Sequence, residues 1–303
     1  AGQAEAKRYR QFCADAKKIY DTLERPFLRQ PSATPGSLMK SAGMADLMGI
    51  KPFTRLWDAL GKYFHDARLR QLFGRYATYC GSSPFRSPAT LMLVAHVEQS
   101  GVWLVDGGMH NLAVALADLL TAQGGTIRYK TEATEILSDG GRATGVRLAD
   151  GGTLEAGTVI ANADVAALSS GKLGRTPARA VPETPRSERS LSALTFTLQA
   201  RCSGWPMARH NVVFCTDYPA EFTDIFRHGR LPREPTVYVC AQDRDDLGPA
   251  DGATPEGLLL IINAPPDGDI RTYDTSEIAA CQERAFALLN RCGLTLDPVQ
   301  ESV

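Results

Sequence analysis

The residue types that usually carry chemistry are present in this 303-residue chain, but nothing groups them for it. His65, His96, His110, His210 and His228 share no metal-ligand spacing and read as surface or satisfied core residues. Cys13, Cys80, Cys202, Cys215, Cys240, Cys281 and Cys292 are odd in number and form no C-x-x-C pair. They read as reduced thiols, not as a zinc site or a disulfide framework. Asp245 and Asp246 read as a solvated loop. A formal net charge of -1 offers no basic field for nucleic acid. The positions with a more specific reading are Gly107 and Gly108, which open a helix, and Asn162 and Asp164, which close an apolar segment.

The elements around those positions are legible. A glycine pair lets the backbone come close to something bulky. After it, Leu112, Val114, Ala115, Leu116, Leu119 and Leu120 recur at the helical period, and Gly124-Gly125 stops the helix. Thr126–Tyr129 and Ala133–Leu137 read as strands. Asp139-Gly140-Gly141 and Asp150-Gly151-Gly152 are tight turns around Ala143–Leu148. Thr158–Ala161 reads as a short buried strand that ends on Asn162-Ala163-Asp164.

That order resembles the central segment of the two-domain flavoproteins related to amine oxidase and phytoene desaturase. The matching residues are Gly107-Gly108-Met109 with Leu112, then Thr131–Ile136, then Val159–Asp164. Ala133 stands where that family usually has Val, a mild change because the contact expected there is made by backbone. Two further blocks are similar to the carotenoid desaturases of the bacterial phytoene-desaturase type. One is Tyr79–Leu91, with Gly81-Ser82-Ser83-Pro84-Phe85. The other runs from Ser190 through His210-Asn211-Val212-Val213-Phe214 to Ala264-Pro265-Pro266. The wording is nearest to the purple-bacterial desaturases of hydroxylated or methoxylated acyclic carotenoids.

The resemblance implies an FAD-dependent desaturase acting on a carotenoid, and its finer wording implies the 3,4 position of a 1-hydroxy or 1-methoxy carotenoid. It implies flavin contacts at Gly107, Gly108, Ala133, Asn162, Ala163 and Asp164, and substrate contacts at His210 and Phe214. In such chemistry the cofactor takes the hydrogens and the protein orients the substrate, which accounts for the missing catalytic signature. No catalytic side chain and no metal ligand is named. No G-x-G-x-x-G follows a strand, so the main pyrophosphate turn is expected outside these residues. The chain therefore reads as an internal fragment that does not hold FAD alone. Two other readings stay open: a flavin oxidase of the same superfamily acting on amines or porphyrinogens, and a lipid-binding escort module on the same architecture.

The implied fold is α/β with α+β character: a partial Rossmann-like FAD-binding domain interleaved with an antiparallel-sheet substrate domain and a helical region. The expected boundaries are 1–106 for the helical region, 107–168 for the flavin segment, 169–189 for a connection and 190–303 for the substrate domain. In the helical region Tyr9, Phe12, Cys13, Ala16, Ile19, Tyr20 and Leu23 form one stripe, ended by Pro26. Phe53–Phe64 and Arg68–Tyr79 are further helices. From Ser190 the period becomes 2, giving strands at Ser192–Gln199, Val212–Thr216, Thr236–Ala241 and Gly257–Ala264. A capping box at Asp274–Glu277 then opens a last helix. Leu47-Met48-Gly49-Ile50, Pro52-Phe53 and Trp57, rimmed by Lys40, Lys51 and Arg55, are a candidate for shallow contact with a bilayer surface. The matching expectation is a cytoplasmic protein, peripheral at the inner face of the membrane.

Overall fold

The computed structural model describes residues 2–31, 34, 36, 43–244 and 253–302. The chain divides into two compact units, one built from 1–103 and 190–303, the other from 104–189.

The helical stretch of the first unit carries α1 (Gln3–Leu23), α2 (Leu56–Tyr63), α3 (Ala67–Gly74) and α4 (Leu93–Gln99). The stripe read in the sequence points inward: Phe12, Ala16, Ile19 and Leu23 are buried, with Leu56, Leu60, Phe64 and Met92 around them. Helix α1 runs on into a single wider turn, Glu24–Leu28, which holds Pro26. Proline has no backbone N–H to continue the ladder, so the chain leaves the helix there.

The second unit contains α5 (His110–Ala122) and a three-stranded antiparallel meander, β1 (Ala133–Asp139), β2 (Arg142–Leu148) and β3 (Thr153–Glu155). Its turns fall where the Asp-Gly-Gly sequences put them. Two expectations fail. Neither Thr126–Tyr129, which ends in a turn, nor Thr158–Ala161 joins a ladder among the described residues. Tyr129 is 74 % exposed and Ile160 is 89 % exposed. An apolar run becomes a strand only when a neighbouring strand takes up its N–H and C=O groups.

The chain then returns to the first unit with β4 (Ser192–Gly204), β5 (His210–Val213), α6 (Tyr218–Thr223), β6 (Val237–Ala241), β7 (Glu256–Ala264), α7 (Thr275–Arg291) and β8 (Leu294–Ser302). The sheet is antiparallel throughout, in the order β5-β6-β7-β4-β8. Alternation sorts its two faces. Phe196, Leu198, Ala200, Val237, Val239, Leu258, Leu260 and Ile262 meet Cys281, Ala285, Leu288 and Leu289 of α7 in one core. Asp274 caps α7 by accepting from the Glu277 N–H at 2.9 Å, as its box predicts. The mixed α/β architecture with an antiparallel sheet is thus the one expected. The stretch Tyr218–His228, read only as sequence resemblance, adds a helix that its periodicity did not announce.

Candidate functional site

The sheet face away from α7 is formed by odd-numbered residues of β4 and β7, Ala193, Ile261 and Asn263, with even-numbered Val212 and Tyr238 beside them. Opposite stand Leu72 and Phe73 of α3, Tyr76 and Tyr79 after it, and Val94 and Val97 of α4. Between them lies a cavity of about 1050 Å³. That is at the top of the usual ligand-pocket range of about 300–1,000 Å³.

The helical stretch and the sheet stretch meet at Gly81. Its carbonyl accepts from the Leu191 N–H at 2.6 Å. Its φ of +63° is left-handed, and a Cβ there would lie 2.2 Å from the Cβ of Ser190. Glycine is therefore required twice over at the head of Gly81-Ser82-Ser83-Pro84-Phe85. Beyond it, Trp57, Phe85, Phe214, Tyr218, Phe222 and Phe226 pack together around Cys215. Ring centroids are 4.9 Å apart for Trp57 and Phe85 and 5.1 Å for Tyr218 and Phe222.

Most polar groups of the cavity already have partners. The Tyr76 hydroxyl donates to Glu98 at 2.6 Å, and the Thr78 hydroxyl to the Arg75 carbonyl at 2.8 Å. Burial and the Glu98 carboxylate together push the Tyr76 hydroxyl upward. His210 Nδ1 lies 2.7 Å from the Tyr238 hydroxyl, a diagonal pair across β5 and β6. Burial, helped by the Cys240 thiol, pushes Tyr238 up to about 12. The direction of this bond follows the imidazole tautomer: the phenol donates where Nδ1 carries no proton. Arg75 lies over the Tyr238 ring, 5.6 Å from its centroid.

Behind the cavity is a buried carboxyl group. Glu221 of α6 is 2 % exposed and accepts from Thr236 Oγ1 at 2.6 Å, Asn263 Nδ2 at 3.0 Å and Cys215 Sγ at 3.3 Å. Burial raises its protonation range, and those three hydrogen bonds oppose the rise.

The residues named from sequence are not all brought together. His210 lines the cavity, whereas Phe214 packs in the aromatic cluster beyond it. In the 104–189 unit, Gly107 and Gly108 have φ of +71° and +92°. A Cβ at Gly107 would meet Asn111 at 2.3 Å, while at Gly108 it would meet nothing within 4 Å. Ala133 opens β1 and is exposed, as are Asn162 and Ala163. Asp164 accepts from the Ala166 N–H at 2.7 Å and caps the short helix Val165–Ser169. The bilayer candidate divides. Ile50 is buried and Leu47 packs on the helical core, while Met48 is 56 % exposed and Phe53 87 % exposed. Trp57 lies under the Arg70 guanidinium, 4.4 Å from it, and Lys51 pairs with Asp15 at 3.3 Å. Lys40, Asp245 and Asp246 lie outside the described residues. No helix among the described residues is long and apolar enough to cross a membrane. Sequence reading missed Asn263, Glu221, Arg75 and Tyr238. The one available signal was Asn263 itself, a lone polar residue directly after the apolar run Leu258-Leu259-Leu260-Ile261-Ile262.

Residues 16–248 match the family described as flavin containing amine oxidoreductase, and the chain belongs to that family. It is 51 % identical over 300 residues to the hydroxyneurosporene desaturase of Rubrivivax gelatinosus, covering 98 % of this chain and 57 % of that protein. The hydroxyneurosporene desaturase of Cereibacter sphaeroides is 42 % identical over 99 % of this chain and 60 % of its own length. That of Rhodobacter capsulatus is 34 % identical over 100 % of this chain and 60 % of its own length. The chain thus spans 57–60 % of the length of these curated relatives. The family implies a flavin. The open backbone at Gly108 and the exposed Ala133, Asn162 and Ala163 fit close approach by such a group.

Proposed function

We propose that the protein acts in an FAD-dependent desaturase that introduces a carbon–carbon double bond into an acyclic carotenoid. The substrate is a 1-hydroxy or 1-methoxy carotenoid and the bond is the 3,4 bond. The observation that carries this reading is the cavity of about 1050 Å³, walled by Leu72, Phe73, Val94, Val97, Val212 and Ile261, in a chain so similar to hydroxyneurosporene desaturases. An apolar wall of that kind favours a hydrocarbon over an amine or a porphyrinogen.

Two C–H bonds break and one π bond forms. When bound, FAD supplies the two-electron acceptor for the hydrogens removed. The chain's own part is to bind the polyene, exclude water and hold the reacting bond in register. Gly107, Gly108, Ala133, Asn162, Ala163 and Asp164 are the proposed flavin neighbours; Asp164 would act there through the loop it caps, since its carboxylate is engaged. His210 is the proposed substrate neighbour, with Phe214 supporting the aromatic wall behind. The proposed domains are a helical region over 1–106, a flavin segment over 107–168, a connection over 169–189 and a substrate domain over 190–303. Met48 and Phe53 are the proposed contacts with the inner face of the membrane, where such a substrate dissolves.

The test is to give the flavin-loaded enzyme neurosporene, its 1-hydroxy derivative and phytoene. The expected product is the hydroxylated polyene lighter by two hydrogens, with its absorption moved to longer wavelength. Conversion of phytoene alone would overturn the substrate assignment.

A further inference from the structure

We infer that Asn263 recognises the polar end of the ligand: its amide oxygen accepts a hydrogen bond from a terminal hydroxyl, and the buried Glu221 is the positioning residue that turns it that way. This deepens the proposed function and rests on it. Asn263 is 5 % exposed and lines the cavity from β7. Its register partner on β4 is Ala193, too small to cover it.

The orientation of the amide follows from its neighbours. Thr236 and Cys215 both point at Glu221 Oε2, leaving Oε1 as the oxygen that meets Asn263. Asn263 Nδ2 faces Oε1, the arrangement an ionised carboxylate requires because it only accepts. The group that Asn263 turns to Glu221 is therefore its Nδ2, which donates at 3.0 Å. The carbonyl oxygen is left over, and it carries no protein hydrogen bond among the described residues. The residue lines the cavity, so a ligand that fills that space is favoured when it brings a donor to this oxygen.

Asn263 and Tyr76 are the buried polar residues of the lining, whereas Glu98, Ser192 and His210 are exposed and keep water as a partner. The hydroxyls of Tyr76 and Thr78 are committed to Glu98 and to a backbone carbonyl, and Tyr238 is committed to His210. A hydroxyl supplies the missing proton. A methoxy group has none to supply, and an unsubstituted chain end leaves the oxygen bare. A hydroxyl on carbon 1 sits two carbons from the 3,4 bond, so pinning it also fixes which bond is presented.

The experiment compares hydroxylated, methoxylated and unsubstituted neurosporene on the flavin-loaded enzyme and on its Asn263→Leu variant. Binding is read from the carotenoid absorption band under conditions without turnover, and KM and kcat are read separately with turnover. Wild type should bind the hydroxylated ligand about 3- to 10-fold more tightly than either of the others. Asn263→Leu should abolish that preference by raising KM for the hydroxylated ligand alone. Equal binding of the three ligands by wild type would overturn the inference, and so would a preference that survives in Asn263→Leu. The wild-type comparison decides even where the variant fails to fold. Failure to convert any of the three would instead contradict the proposed desaturase activity.

Discussion

The sheet of the first unit and the helix of the second carry equally clear hydrophobic patterns, yet only one of the patterns is buried. Along β4 and β7 every inward residue from Phe196 to Ala200 and from Leu258 to Ile262 is covered by α7. Along α5, Leu112, Leu116, Leu119 and Leu120 are between 45 % and 58 % exposed. Period alone therefore predicts an element, while burial depends on whether a complementary face lies within the same unit. The cavity follows the same logic from the other side. The sheet's second face mixes Val212 and Ile261 with His210, Tyr238 and Asn263, and there it lines a cavity instead of a packed helix.

The largest effect that sharpens this contrast is in the core. Leu260→Ala, at a fully buried position, should lower the unfolding free energy of the chain by about 2–5 kcal/mol in a denaturant titration. Leu116→Ala on α5, 58 % exposed, should change it by about 0.5 kcal/mol or less. Equal losses at the two positions would break the comparison.

Next comes Gly81, where the two stretches of the first unit touch. Gly81→Ala combines a left-handed φ with a Cβ-to-Cβ distance of 2.2 Å. It should cost about 1–3 kcal/mol, and it should weaken ligand binding by shifting Leu191 and Ser192 along the cavity edge. A variant as stable as wild type would show that this junction is not tight.

The buried carboxyl group gives a pH signature. Folded Glu221 holds its proton to higher pH than the unfolded chain does, because burial raises it. Within that window the folded state binds more protons, so stability falls as pH rises through it. Glu221→Gln has no proton to lose there. The stability of the variant relative to wild type should therefore increase as pH rises above the ordinary glutamate range, read from denaturation midpoints. Parallel pH profiles would contradict the burial argument.

The membrane prediction is the smallest. Changing Met48 and Phe53 to Ser should reduce co-sedimentation with liposomes, by about tenfold where roughly 1.4 kcal/mol of apolar burial is lost. Changing Ile50 should act through folding instead, since that side chain lies in the helical core. Equal pelleting of wild type and the double variant would remove this surface as the anchor.

Much of the fold was legible because local rules and tertiary partners agree. The stripe on α1, the Asp-Gly-Gly turns, the capping at Asp274 and the alternation of β4 and β7 all fall where the residues put them. Segments 126–129 and 158–161 form no strand because an apolar run carries no record of whether a neighbouring strand exists. Phe214 and His210 share one sequence block, but β5 ends at Val213, and Phe214 beyond it packs in the aromatic cluster while His210 lines the cavity. Glu221 and Asn263 lie 42 residues apart and are joined by a single hydrogen bond. No spacing rule links them, so the polar spot in the cavity becomes visible only once β7 is paired and α6 is packed behind it.

The central claim is that the cavity between the sheet and the helices of the first unit holds the polyene during desaturation. Ala193→Trp fills it from the β4 side without touching the α7 core. With the flavin retained and the fold intact by circular dichroism, conversion of the hydroxylated polyene by this variant should fall at least about tenfold, with weaker carotenoid binding. Undiminished conversion by the filled variant would contradict the account and send the substrate elsewhere in the molecule.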